Sequence, residues 1–574
     1  MDGISVQDAA GSEYSHPFLG GLDVPRPQFV DIDADGDFDL FVQERTGELM
    51  YFENVGSAAE PHMVWRSDRY QDLDIGEWSR FFDMDRDGDM DLLAEQVFSY
   101  VRYFENQGSP SEARYVAVGD SVRDSEGAAL FSDRQNIPNV TDIDCDGRWD
   151  LFLGRVDGTV TRYEEVPGEG LPRFAFVTNR FQGIEIVNQI GGSMHGANSM
   201  AFADVDGDGD QDLYWGDFFE PGVLLIRNSG SCQSPALATE PESVQATPDL
   251  TTSGFNVPVP VDLDADGDLD LVLGVLGGAF NPNRSVADNF YLYETAADGS
   301  RQLRTRRFID GIDIGSESAI AVGDVDGDGD ADVLLGNKLD PSFAEQAAAG
   351  ESVEQTSRMY LLENTGSAAS PSFSLSEPID LGQYYHYAPD LADLDGDGDL
   401  DLLMGTWRHG VHLLTNDGQG RFSMADSAIA VLGRGSNATP AAGDLDGDGD
   451  LDLIVGESSG ELNHYRNIGT ATAPEFEVVT EKLGGYDVGR RSYPTLTDLD
   501  GDGDLDLLVG TENGVPVLLR NQGSAADPEF VEDPSFTVPL FPFSVPRFVD
   551  LDGDGVNELL SGALAGGLLL YRAP

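Results

Sequence analysis

Nine residues, Asp31-Ile-Asp-Ala-Asp-Gly-Asp-Phe-Asp39, place a carboxylate at every odd position and a glycine at the sixth. The pattern D-x-D-x-D-G-x-x-[D/E] is written ten times along the chain. Carboxylates at positions 1, 3 and 5 converge on one point only if the backbone curls, and the sixth-position glycine permits that curl. Hard oxygen ligands in this number suit Ca²⁺, which takes six to eight oxygens at roughly 2.3–2.6 Å. Position 7 is expected to contribute its backbone carbonyl, which leaves its side chain free to vary, whereas position 9 must supply a carboxylate. Position 7 does vary, to Arg148 in the third copy and Val556 in the tenth, while position 9 is always Asp or Glu. A merely acidic tract would vary at positions 1, 3 and 5 as freely as at 7.

The expected ligand sets follow in chain order. The first is Asp31, Asp33, Asp35, Asp37 and Asp39, and the second Asp83, Asp85, Asp87, Asp89 and Asp91. The third is Asp142, Asp144, Asp146, Arg148 and Asp150, and the fourth Asp204, Asp206, Asp208, Asp210 and Asp212. Next come Asp262, Asp264, Asp266, Asp268 and Asp270, then Asp324, Asp326, Asp328, Asp330 and Asp332. The seventh is Asp393, Asp395, Asp397, Asp399 and Asp401, and the eighth Asp444, Asp446, Asp448, Asp450 and Asp452. The ninth is Asp498, Asp500, Asp502, Asp504 and Asp506, and the last Asp550, Asp552, Asp554, Val556 and Glu558. About ten Ca²⁺ per chain are expected. The third and tenth sites should be weakest, since each lacks the acidic seventh residue.

The elements that position these loops recur with them, about 50 to 70 residues apart. A short apolar segment such as Pro546-Arg-Phe-Val leads into each loop. A run such as Leu505-Asp-Leu-Leu-Val-Gly510 follows it and reads as a buried strand ending at glycine. An alternating strand then ends in Asn-x-Gly, as in Leu518-Leu-Arg-Asn-Gln-Gly523, and a spacer with proline and an aromatic opens a fourth. Four short strands per unit without helical periodicity describe an all-β propeller blade, with the acidic loop between strands one and two. Helix-flanked EF-hand loops are excluded on the same ground.

The chain stops at Leu568-Leu-Leu-Tyr571, the third strand of the tenth unit, and His16-Pro-Phe-Leu-Gly-Gly21 resembles the fourth-strand segments elsewhere. The expectation is one propeller of about ten four-stranded blades over 1–574, closed by the N-terminal strand joining the last blade. Two smaller propellers are the alternative.

Acidic residues number 104 against 33 basic, a net charge of −71. Ten bound Ca²⁺ would leave most of that charge, which argues against nucleic acid or an anionic membrane as partner. No apolar run is long enough to span a bilayer. Millimolar extracellular Ca²⁺ would fill such loops, so a secreted or surface-displayed protein is expected, its leader absent from Met-Asp-Gly-Ile-Ser. Cys145 and Cys232 hold different positions in their repeats, which argues against a disulfide.

The repeats resemble the FG-GAP/VCBS repeats of integrin α-subunit heads and of many secreted bacterial proteins. The copies at 393–401, 444–452 and 498–506 match most closely. The resemblance implies β-hairpin Ca²⁺ sites on one propeller face and partner binding on the other, though the integrin members have seven blades rather than ten.

The opposite face should gather the loops between strands two and three and those entering each unit. Tyr385, His386 and Tyr387 enter the seventh unit, whose next loop carries Trp407, Arg408 and His409. Aromatics with arginine suit contact with an extracellular protein or carbohydrate ligand. Lesser groups on the same face are Trp78 with Arg80, His195 with Phe218 and Phe219, the long loop from Asn337 to Arg358, and Arg490 and Arg491 with Tyr493. Gly456-Glu-Ser-Ser-Gly460 matches G-x-S-x-G but lies in a β-turn, whereas a nucleophile elbow needs a strand-to-helix turn. The leading reading is a Ca²⁺-dependent adhesion or recognition scaffold. A lyase-like polysaccharide enzyme and a structural part of an extracellular assembly are the alternatives.

Overall fold

The computed structural model describes all residues except 1–3, 45–46, 134–135, 169, 187–188, 191–192, 195–197, 238–239, 278–286, 344–356, 409 and 573–574. The protein is all-β, made of many antiparallel sheets, most of them four-stranded and built from strands consecutive in sequence. It has the form of a propeller-like repeat. The last sheet holds three strands, Val545–Val549, Glu558–Gly562 and Leu568–Tyr571. In each repeat the acidic loop joins the first strand to the second, as between Ser492–Thr497 and Asp506–Thr511.

The described residues group into two compact units. The amino-proximal unit comprises Asp23–Arg284 and Asp288–Phe308. The carboxy-proximal unit comprises Met1–Leu22, Ser285–Ala287 and Ile309–Pro574. Each unit holds five of the repeated sheets. In the first unit the opening strands Arg26–Val30, Ser79–Phe82, Asn139–Thr141, Asn198–Ala203 and Asn256–Val261 touch in succession, and the fifth also touches the first. In the second unit Ala319–Gly323, Ala388–Ala392, Thr439–Gly443, Ser492–Thr497 and Val545–Val549 do the same.

The physical basis of the sheet-to-sheet contact lies in the second strands. Leu507, Leu508 and Val509 are fully buried, because this strand is covered on both faces. The glycine that ends it sits where the next sheet's backbone passes. A Cβ on Gly510 would run into the carbonyl of Ser544, and one on Gly562 into that of Ser318. In several repeats a polar side chain three residues before the loop adds a staple between neighbouring sheets. Asn139 Nδ2 donates to the Met200 carbonyl at 3.1 Å, and Thr495 Oγ1 to that of Pro546 at 2.7 Å.

The N-terminal segment behaves differently from the expected closing strand. Leu19 makes a single antiparallel bridge to Leu569, while Ser5–Gln7 pairs in parallel with the outer strand Ser372–Leu375 of another sheet. Pro17 lacks an N–H, and Gly20 and Gly21 adopt φ of +91° and +81°, so no ladder can continue along this stretch. Cys145 and Cys232 are joined in a disulfide with Cα atoms 5.5 Å apart, contrary to the expectation from their repeat positions. Cys145 occupies position 4 of its loop and Cys232 a turn after the next sheet's third strand, so the bond crosses between neighbouring repeats.

Candidate metal centres

Each acidic loop is folded by its own carboxylates. In the ninth, Asp498 accepts the N–H of Gly501 at 2.7 Å through Oδ1 and that of Gly503 at 3.1 Å through Oδ2. Asp502 Oδ1 accepts the N–H of Asp504 at 3.1 Å. Positions 4 and 6 lie in the left-handed region. Gly36 at position 6 has φ +97° with open space around its missing Cβ, so conformation alone demands glycine there. Position 4 accepts the same conformation without glycine in Ala34, Arg86, Cys145 and Ala265.

This curl brings carboxylate oxygens of positions 1, 3 and 5 within 4.8 Å of one another in all ten loops. Several of the loop oxygens are shut away from solvent and have no hydrogen-bond donor. They include Asp31, Asp262 and Asp550 at position 1 and Asp144 and Asp552 at position 3. Buried acceptors are normally paired, and these are aimed at a cluster of like charges, where a cation would satisfy them. The donor set is all oxygen, which fits Ca²⁺. Asp37, Asp210, Asp330 and Asp450 at position 7 also hold such orphaned oxygens, so in these loops the seventh side chain turns inward, not only its carbonyl. Burial and then the neighbouring carboxylates push Asp210 and Asp330 up to about 6. Arg148 instead pairs with Glu164 at 2.6 Å, and Val556 is exposed.

The carboxylate at position 9 also acts as a clasp. Asp39 accepts the N–H of Ile32 through one oxygen and that of Asn54, at 2.8 Å, through the other. The same link to an asparagine at or just after the end of the third strand recurs at Asp91, Asp212, Asp332, Asp401, Asp452 and Asp506. These aspartates are buried, and burial pushes Asp39 and Asp332 up to about 7. Sequence reasoning noted the Asn-x-Gly run but not its tie to the loop.

Sequence reasoning also missed the arginines that reach the loops from the third strands. Arg162 donates to Asp144 at 2.6 Å and to Asp150 at 2.7 Å, covering positions 3 and 9 of the third loop. Arg520 meets Asp506 at 2.7 Å and Arg466 meets Asp446 at 3.1 Å. A third-strand arginine just before the recurrent asparagine is the signal that would have found the last two.

The expected ligand cluster of the seventh unit is partly assembled. Tyr385 meets Trp407 edge-on at 5.3 Å, and the Arg408 guanidinium lies 3.9 Å over the Trp407 ring, which is 36% exposed. Tyr387 is instead a core residue, fully buried, with its hydroxyl on the Gly382 carbonyl at 3.0 Å. His386 is buried beside Glu317, 3.5 Å away. His409, His195 and part of the long loop between Asn337 and Arg358 lie outside the described residues. Of the lesser groups, Phe218 and Phe219 pack on each other, and Arg80 donates to the Pro138 carbonyl at 2.8 Å.

A further constellation underlies the Trp407 platform. Glu317, His386, Asn437, Arg491 and Phe543 each stand seven residues before an acidic loop, and each has φ between +54° and +64°. Glu317 is buried and bound by Lys338 and Arg491, and Arg491 also stacks on Phe543 at 4.6 Å. Burial alone would raise the Glu317 carboxyl, but these cations hold it below its ordinary range. Burial drives His386 down to about 4, so its imidazole is neutral at pH 7. Five non-glycine residues in left-handed conformation mark a place where backbone strain is tolerated, which is common at functional sites.

No helix among the described residues is long and apolar enough to cross a membrane. Comparison with known proteins matches an FG-GAP-like repeat family at residues 142–215, 393–455 and 498–561, and an FG-GAP repeat family at 318–351. Among solved structures, an endo-1,4-beta-xylanase from Bacteroides thetaiotaomicron VPI-5482 aligns at 11% identity and a TM-score of 0.32. The alignment covers 50% of this chain and 95% of that one, too weak a likeness to carry an argument. The chain carries FG-GAP-like repeats at several positions along its length.

Proposed function

We propose that the protein is a secreted or surface-displayed Ca²⁺-binding scaffold, with each compact unit a five-bladed propeller, acting in adhesion or recognition of a protein or glycan ligand. The observation that carries this reading is the set of ten loops whose convergent carboxylates include buried oxygens without donors. Ca²⁺ held at every repeat supplies the charge that these oxygens require, and extracellular concentrations would keep the loops filled. FG-GAP repeats are typical of extracellular proteins, which supports the location.

The ligand surface is proposed around Tyr385, Trp407 and Arg408, where an exposed tryptophan, met at its edge by a half-buried tyrosine, carries a stacked guanidinium. Such groups contribute most of the binding energy at recognition surfaces. A glycan array combined with capture from extracellular material tests the reading, using wild type and Trp407→Ala in Ca²⁺ and in chelator. Retention that falls with Trp407→Ala supports it. Release of unsaturated products from an acidic polysaccharide would turn the assignment towards an enzyme.

A further inference from the structure

A cleft of about 770 Å³ in the amino-proximal unit opens between the second and third sheets on the side of the acidic loops. Its volume falls within the ~300–1,000 Å³ of small-molecule sites. Three arginines line it, Arg86, Arg123 and Arg173, in a chain where acids outnumber bases about three to one. Arg86 is paired with Glu165 at 2.8 Å. Arg123 and Arg173 pair with no carboxylate among the described residues. Arg123 donates only to the Gly127 carbonyl, at 2.9 Å.

These two arginines are opposed in register. Arg123–Asp124 adds in parallel to the outer strand Arg173–Thr178, with Arg123 directly opposite Arg173. Like charges placed opposite one another across a ladder destabilise it. In so acidic a protein a carboxylate could readily have been supplied between them, and none is. We infer that this cleft is a binding site for an oligosaccharide carrying an anionic group, a uronate carboxylate or a sulfate ester, held between Arg123 and Arg173.

The remaining walls fit such a ligand. Leu171, half-buried, offers apolar surface to a sugar ring, and Glu105 accepts hydrogen bonds from hydroxyls. A peptide fits less well, because the free side of the Arg123–Asp124 strand is already closed. Arg123 bridges Ala129, and the Asp124 N–H donates to the Ala128 carbonyl at 2.8 Å. Asp85, at position 3 of the second loop, also lines the cleft, so the metal content of that loop alters the charge the ligand meets.

Isothermal titration of the whole Ca²⁺-loaded protein tests the inference with three probes: trigalacturonate, a sulfated galacto-oligosaccharide and its unsulfated counterpart. At least one anionic probe is expected to bind and the neutral one not, and the two anionic arms distinguish carboxylate from sulfate. The double variant Arg123→Gln/Arg173→Gln should weaken binding by about tenfold or more, while Arg123→Lys retains most of it. Both arginines are exposed, so the melting temperature should not change. Absence of binding by either anionic probe overturns the inference. So does binding unchanged in the double variant, or binding lost only in Trp407→Ala, which would place the sugar at the carboxy-proximal surface.

Discussion

Asp506 Oδ1 accepts the backbone N–H of Asn521 at 2.8 Å, tying the last residue of an acidic loop to the last residue of the third strand. Its other oxygen accepts the N–H of Leu499, the second residue of the same loop, and meets Arg520 at 2.7 Å. Asn521 then passes the connection onward, its Oδ1 accepting the N–H of Gly523 and of Glu529, each at 3.0 Å. The metal loop, the third strand and the turn to the fourth strand form one hydrogen-bonded unit.

Breaking that unit should destabilise the sheet without emptying its loop. Asn521→Ala leaves two backbone N–H groups without their acceptor, at about 1–3 kcal/mol for each that is kept from water. The expected result is a lower melting temperature for the carboxy-proximal unit with the Ca²⁺ count unchanged. Metal analysis alongside calorimetry checks it, and loss of a metal together with stability would contradict the division of roles.

Asp502→Ala should do the reverse. It removes position 5 from the grouped oxygens of the ninth loop, so one Ca²⁺ should be lost per chain. The rest of the protein should retain its sheets by circular dichroism.

In the third loop, Arg162 already occupies Asp144 and Asp150. A guanidinium there competes with a cation for the same oxygens. Arg162→Gln should therefore raise the Ca²⁺ affinity of this loop, read as tighter binding of the weakest class of sites in a calcium titration.

The pH response of the carboxy-proximal unit should carry the signature of His386. Its folded value of about 4 lies below the ordinary one, so the folded state binds fewer protons between about 4 and 6.5. Stability from this group is thus present above pH 6.5 and lost as pH falls towards 4, by up to roughly 3 kcal/mol at about 1.4 kcal/mol per pH unit. His386→Asn should flatten the acid limb of melting temperature against pH relative to wild type. An identical acid limb in the variant would show that the imidazole is not buried in its neutral form.

The disulfide gives a test in the other unit. Cys145 and Cys232 are separated by 87 residues, a closure worth roughly 4.6 kcal/mol in the chain-entropy account. Cys232→Ala should lower the melting temperature of the amino-proximal unit, and thiol titration of unreduced, denatured wild type should find no free cysteine.

The acidic loops, their place between strands one and two and the buried second strand were legible because each rests on local spacing. A carboxylate every second residue, a glycine at a left-handed turn and a Leu-rich run need no distant partner to be read. What escaped depends on which repeats meet. Nothing at Gly562 says that its neighbour is the Ser318 backbone, so local spacing left one ring and two smaller rings both open. Cys145 and Cys232 occupy unlike positions within their repeats, and only the adjacency of sheets brings them together. Tyr387 reads like its neighbour Tyr385, yet one lies in the core and the other beside Trp407. His386, with φ +64°, sits at the turn between them, a conformation that sequence does not announce.

The central claim is that Ca²⁺ at the acidic loops holds the fold. Without metal, each loop keeps clustered carboxylates whose repulsion works against the curl. One site filled at a hundred times its Kd adds about 2.7 kcal/mol, so a few together rival the ~5–15 kcal/mol stability of an ordinary domain. The direct measurement is thermal unfolding with bound metal counted on the same sample, before and after chelation. The account predicts close to ten Ca²⁺ per chain and a melting temperature lowered by tens of degrees in EDTA, with poor rescue by Mg²⁺, which prefers small octahedral sites that keep water. A count of five or fewer, or coincident melting curves once the metal is shown to be gone, would contradict it.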